Sequence, residues 1–150
     1  MFIDALLMLS DSQALTGTAA VVSANTIDLG NPTVKRDIAS GEPMVLVVNV
    51  EVALAGTGPG ITVEAIQSDG ADLSSPDVIA SSGAIATAAN FPAGMVLQVP
   101  IGEGRITKRY FGARYTMTGT TPTTTVSAFL QPSSMASPGA PRHYAKGYTV

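Results

Sequence analysis

The chain has no cysteine, no tryptophan and a single histidine, and only 13% of its 150 residues are charged. Each shortage removes a class of chemistry. Without cysteine there is no disulfide framework, no thiolate nucleophile and no cysteine-based zinc or iron–sulfur site. The one histidine, His143, lies in a Pro/Gly-rich tail between Arg142 and Tyr144. A general base needs a rigid mount and a nucleophile beside it, and that tail supplies neither. Basic residues are scarce too: eight Lys and Arg against eleven Asp and Glu, a net charge of −3. Proteins that live on phosphate backbones carry a basic excess, because counterion release supplies most of their affinity. No nucleic-acid partner is therefore expected. Long apolar runs are also missing. Met44 to Ala55 is broken by Asn49 and Glu51, and falls short of the roughly 20 residues a spanning helix needs. Met1 to Leu9 is apolar, but Asp4 interrupts it and no cationic stretch precedes it, so neither a signal nor a membrane span is expected.

What remains is small and apolar. Hydrophobic residues reach 45%, enough for one core without metals or disulfides. A compact chain of this length has a radius of gyration of roughly 15 Å. Low charge combined with this hydrophobicity argues against disorder. A weakly charged surface of small residues points to cover by a partner.

Period-two alternation dominates after the N-terminal segment. Leu46, Val48, Val50, Val52 and Leu54 fall on one face of a core strand, with Val47, Asn49, Glu51 and Ala53 on a wet one. Gly56-Thr57-Gly58-Pro59-Gly60 reads as the loop that ends it, before a β-like run from Ile61 to Gln67. Short strands follow at 78–80 and 84–86 around Ser82-Gly83, and from Met95 to Pro100. From Ile106 to Thr118, Phe111, Ala113, Tyr115 and Met117 share a face opposite Tyr110, Arg114 and Thr116. Thr120 to Thr125 with Pro122 reads as a turn, and Val126 to Gln131 as the last strand. Asp4 to Ala14 has room for a short helix. Seven or eight strands with Gly/Pro turns predict an all-β sandwich or barrel. The boundaries are an N-terminal apolar segment at 1–15, a β-sandwich at 16–131 and a C-terminal arm at 132–150.

Few groups suggest chemistry. Asp69, Asp72 and Asp77 are the densest carboxylates, but their spacing fits no calcium loop, and Asp is a turn initiator. Gly56, Gly58 and Gly60 lack the Lys and the following helix of a phosphate loop. In Asn31-Pro32-Thr33 the proline blocks glycosylation. Arg105, Lys108, Arg109 and Arg114, interleaved with Tyr110 and Tyr115, hold half of the basic residues. They read as one solvated strand face or as anchors for an acidic protein surface. A carbohydrate-binding or adhesion module is the alternative class. Its aromatic suppliers are Tyr110, Tyr115 and Phe91, and aromatics make up only 5% of the chain.

Several stretches occur in an ordered combination that resembles a known family. They are Leu7-Met8-Leu9-Ser10-Asp11-Ser12-Gln13-Ala14-Leu15, Thr26-Ile27-Asp28-Leu29-Gly30 and Arg36-Asp37-Ile38-Ala39-Ser40-Gly41-Glu42-Pro43. Asp72-Leu73-Ser74-Ser75-Pro76, Ile79-Ala80-Ser81-Ser82, Arg109 to Tyr115 and Val126 to Leu130 follow in the same order. Together they resemble the capsid cement, or decoration, proteins of short-tailed double-stranded DNA bacteriophages. The resemblance implies a jelly-roll-like β-sandwich on the outer surface of the virion head, made in the host cytoplasm. It implies a homodimer that bridges neighbouring major capsid subunits as a structural protein, without catalysis, cofactor or metal.

The terminal segments are expected to carry the anchors. Phe2, Ile3, Leu6 and Leu7 form a dense apolar group, and burying one such side chain contributes roughly 1.5–3 kcal/mol. Ordering a free arm costs about 1–2 kcal/mol per residue, so only dense apolar groups hold one down. Packing of Met1 to Leu9 on its own sandwich is the competing expectation. Tyr144 and Tyr148 are the weaker anchors, and Arg105, Arg109 and Arg114 complete the expected partner-binding set.

Overall fold

The computed structural model describes residues 5–30 and 41–135. Seven strands make one antiparallel sheet: β1 (Met8–Thr16), β2 (Val21–Val22), β3 (Ile27–Asp28), β4 (Met44–Ser68), β5 (Asp77–Ala86), β6 (Val96–Ile101) and β7 (Tyr110–Pro132). The only helical pieces among the described residues are 3-10 turns at Ala5–Leu7 and Ala88–Asn90. The fold is all-β, as the alternation predicts.

Two strands dominate, and both are far longer than the sequence suggests. β4 and β7 pair along their whole length, from Met44↔Pro132 to Ser68↔Tyr110. The expected loop at 56–60 and the expected turn at 120–125 both lie inside them. There the ladder slips four times between Val50 and Gly60, and the ribbon bends. Gly56 (φ 129°) and Gly119 (φ 104°) take backbone conformations that side chains disfavour. A Cβ on Gly119 would also lie 2.7 Å from the carbonyl oxygen of Gly58. The glycines therefore bend the strand rather than end it.

The bend divides the ribbon into two limbs. In the first, β4 residues 60–68 and β7 residues 110–118 are flanked by β5 on one side and by β2 and β3 on the other. In the second, β4 residues 44–55 and β7 residues 123–132 are flanked by β6 and β1. Inward side chains of both limbs form one core: Leu46, Val48 and Val50 with Ile61, Val63, Phe111, Tyr115, Val126 and Leu130. The two layers of the expected sandwich are thus two limbs of one sheet. Ser10 on β1 and Tyr115 on β7 join the limbs through a buried hydroxyl–hydroxyl hydrogen bond of 2.8 Å.

The structure corrects four local expectations. Val52 is 55% exposed instead of joining the core row, because the slip between Val50 and Val52 turns it outward. Val47, expected on a wet face, is buried. The expected N-terminal helix gives way to strand from Met8 onward, because β7 offers an open edge. The two short strands around Ser82-Gly83 are one strand, β5, with a register slip opposite Thr62–Glu64.

Candidate functional site

β1 enters the core directly, so the residues from Met8 to Leu15 belong to the sheet. Irregularities on either side of Ser10 let Leu9 and Ser10, adjacent in sequence, both be fully buried. Leu7 packs against the same core, whereas Leu6 is 65% exposed. Within the described part of the N-terminal segment, packing on the protein's own sheet accounts for Leu7 and Leu9 and leaves Leu6 on the surface. Phe2, Ile3, His143, Tyr144, Tyr148 and Asn31-Pro32-Thr33 lie outside the described residues.

The basic strip is largely tied up within the fold. Arg109 grips Asp28 through two hydrogen bonds of 2.9 Å and lies over the Tyr110 ring, 4.9 Å from its centre. That carboxylate holds the Arg109 guanidinium more firmly protonated than usual. Arg114 faces its cross-strand partner Glu64 at 2.6 Å, and both are largely sheltered. Lys108 bridges Asp77 at 2.9 Å and Asp69 at 3.5 Å, and the Asp77 contact raises its ammonium pKa. Arg105 is different: exposed on the turn after Gly102, it takes part in none of the ion pairs among the described residues. Of the three arginines expected at a partner surface, it is the one best placed to meet a foreign carboxylate.

The acidic cluster is a folded turn. The Asp72 carboxylate accepts the Ser74 backbone N–H at 3.1 Å, and hydrogen bonding from Ser74 lowers its pKa. Leu73, nearly fully buried, covers Gly112, where an added Cβ would collide with its methyl. Among the described residues no group of three or more His, Asp or Glu is arranged to hold a metal ion. No helix there is long and apolar enough to cross a membrane. The aromatics needed by a sugar-binding groove are mostly unavailable. Phe91 and Tyr115 are core residues, and burial pushes the Tyr115 phenol pKa up.

Two surface features escape the sequence reading. The first is the outer edge beside β4, built by β5, the Ala88–Asn90 turn and β6. From Val78 to Gly102 it contains no charged residue, while Val78 and Val96 are 45% and 37% exposed. The charge-free run was visible in the sequence, but its continuity as one sheet edge depends on the long β4. The second is the outer face of the second limb. Val45, Val47 and Phe129 form a separate buried cluster there, with Met8 packed beside them. On the same face, Asn49 Oδ1 and Gln131 Oε1 are buried without hydrogen-bond partners among the described residues. Beyond Asn49, Glu51 accepts hydrogen bonds from the Ser127 hydroxyl at 2.5 Å and the Ser12 hydroxyl at 3.1 Å.

No curated protein matches the chain. Over residues 9–130, the span from the buried start of β1 almost to the end of β7, the chain matches the Bbp16 family and belongs to it.

Proposed function

We propose that this protein is a non-enzymatic structural component of a bacteriophage virion. In this reading it sits on the outer surface of the capsid and cements neighbouring major capsid subunits, as a homodimer. The observation that carries the proposal is the charge-free edge from Val78 to Gly102, with Val78 and Val96 exposed. An uncharged sheet edge of this length is a liability in free solution and an asset against a protein surface. The register slip at Ser82-Gly83 blunts indiscriminate strand pairing. Contact is therefore made by side chains of one specific partner. The resemblance to cement proteins names that partner as the major capsid protein.

In this account Arg105 and Leu6 add a cation and an apolar contact, and Phe2 and Ile3 extend the apolar group at the N-terminus. Arg109 and Arg114 shape the surface through Asp28 and Glu64. A shell of many copies holds with modest individual contacts, because each copy bridges several subunits at high effective concentration.

The test is titration of the purified protein onto preformed capsids that lack it. The expected result is saturable binding at a fixed ratio to the major capsid protein, weakened by Val78→Asp and Val96→Asp. Absence of binding, together with specific hits on a glycan array, would replace this reading with an adhesion module.

A further inference from the structure

We infer that Gln67 is the positioning residue of the partner surface: its side chain fixes the loop that carries Arg105 and ties that loop to the start of the charge-free edge. The inference rests on the reading of Arg105 and Val78 as capsid contacts. Gln67 itself is only 5% exposed, out of a partner's reach.

The geometry begins where the ribbon ends. β4 and β7 pair as far as Ser68↔Tyr110. Residues 102–109, just before Tyr110, are not strand, so their backbone groups need other partners. Gln67 sits on the central strand, opposite Phe111 of β7 and Asp77 of β5. Counting by twos from the core residues Ile61, Val63 and Ala65 puts its side chain on the core side. From there the carboxamide reaches the loop with both of its ends. Oε1 accepts the Thr107 backbone N–H at 2.8 Å and the Lys108 backbone N–H at 3.2 Å. Nε2 donates to Thr107 Oγ1 at 3.3 Å. One neutral side chain thus takes over where the ladder stops.

The chain on either side of this clasp leads to the surface. Arg105 stands two residues before Thr107, and its own backbone N–H meets the Gly102 carbonyl only at 3.4 Å. Ile106, between them, packs against the core. On the other side Lys108 bridges Asp77 at 2.9 Å and Asp69 at 3.5 Å. Asp77 opens β5 and directly precedes the exposed Val78. The cation and the apolar contact, distant in sequence, are therefore held in one unit. Holding them beforehand spares the cost of ordering a loop on binding. The residue type matters. Leucine has no acceptor, asparagine is one methylene short, and glutamate keeps the acceptor at the same reach.

The first part of the test needs no capsid. Amide hydrogen exchange is measured on the free full-length protein for wild type, Gln67→Leu and Gln67→Glu. In Gln67→Leu the Thr107 and Lys108 amides should exchange about tenfold faster, while Val63 and Ala65 keep their protection. Gln67→Glu should retain protection throughout. Gln67→Asn should act in the same direction as Gln67→Leu, and replaces it if that variant does not fold. Unchanged exchange at Thr107 and Lys108 would overturn the inference. The second part is titration onto preformed capsids that lack the protein. Gln67→Leu should weaken binding about tenfold, and Gln67→Glu should bind like wild type. Arg105→Ala should weaken the wild type but add nothing to Gln67→Leu, because both remove the same contact. Wild-type affinity in Gln67→Leu, or full additivity with Arg105→Ala, would overturn the positioning role while leaving the capsid reading intact. Failure of the wild type to bind would contradict the capsid reading itself, and the positioning role with it.

Discussion

The two limbs share one core but differ on their outer faces. All the ion pairs among the described residues lie on or beside the first limb: Arg114 with Glu64, Arg109 with Asp28, and Lys108 with Asp69 and Asp77. Its outside is a polar surface pinned by charge, with the Asp72 turn folded over Gly112. The second limb has instead an apolar strip, two buried acceptors and one hydrogen-bonded carboxylate at its far end. One continuous ribbon thus presents two chemistries, because a bend with register slips lets each limb keep its own alternation. A face carrying ion pairs tolerates water, whereas a face of Val, Phe and Met calls for cover.

This contrast breaks first at Phe129. If the second limb's outer face is a true interior, Phe129→Ala costs about 3–5 kcal/mol, as for a core aromatic. Val52→Ala, on an exposed side chain of the same limb, stays within about 0.5 kcal/mol. Urea unfolding of both variants checks the pair, and equal small losses would mean that this face is not sealed.

The bend comes next. Gly119→Ala combines an unfavourable φ with a contact against the Gly58 carbonyl, and should cost roughly 1–3 kcal/mol. Gly17, also at positive φ but with open space around it, should lose less on the same substitution. Thermal melts of the two variants compare close approach with conformation alone.

On the first limb, Arg114→Met should cost about 1 kcal/mol, the upper end for an exposed pair, because both partners are largely sheltered. High salt should weaken the exposed Arg109–Asp28 pair more than this one. Denaturation at low and high ionic strength distinguishes them.

The smallest effect is electrostatic. The hydroxyls of Ser127 and then Ser12 hold the Glu51 carboxyl below its ordinary value. The folded state therefore favours the ionised form. That contribution is complete above the unfolded carboxyl's pKa and fades as pH falls through the lower folded one. Ser127→Ala should move the Glu51 midpoint upward, as followed by NMR titration, with little change in stability at neutral pH.

Much of the fold was legible in the sequence. The alternation of Phe111, Ala113, Tyr115 and Met117, and of Leu46, Val48 and Val50, named core positions, because burial of a sheet face imposes period two. What it could not give was continuity. Gly56-Thr57-Gly58-Pro59-Gly60 and Thr120-Thr121-Pro122 look like chain reversals, since glycine and proline usually end strands. Here each segment faces the other across the ribbon, so two irregular stretches accommodate one another within paired strands. Val47 was misplaced for a related reason: local alternation identifies two faces but not whether the outer one is covered. The basic strip was visible, but not that Asp28, Glu64, Asp69 and Asp77 claim most of it. Those partners come from distant strands. Arg105 and the Val78–Gly102 edge emerge as surface features only once these pairs and the sheet order are known.

The central claim is that the charge-free edge binds a capsid and strengthens it. The most direct measurement compares capsids assembled with and without this protein for thermal and osmotic rupture. The account predicts that decorated capsids survive a higher temperature and a larger osmotic shock, and that Val78→Asp with Val96→Asp abolishes the gain while the protein stays folded. Equal rupture of decorated and bare capsids at full occupancy would contradict it.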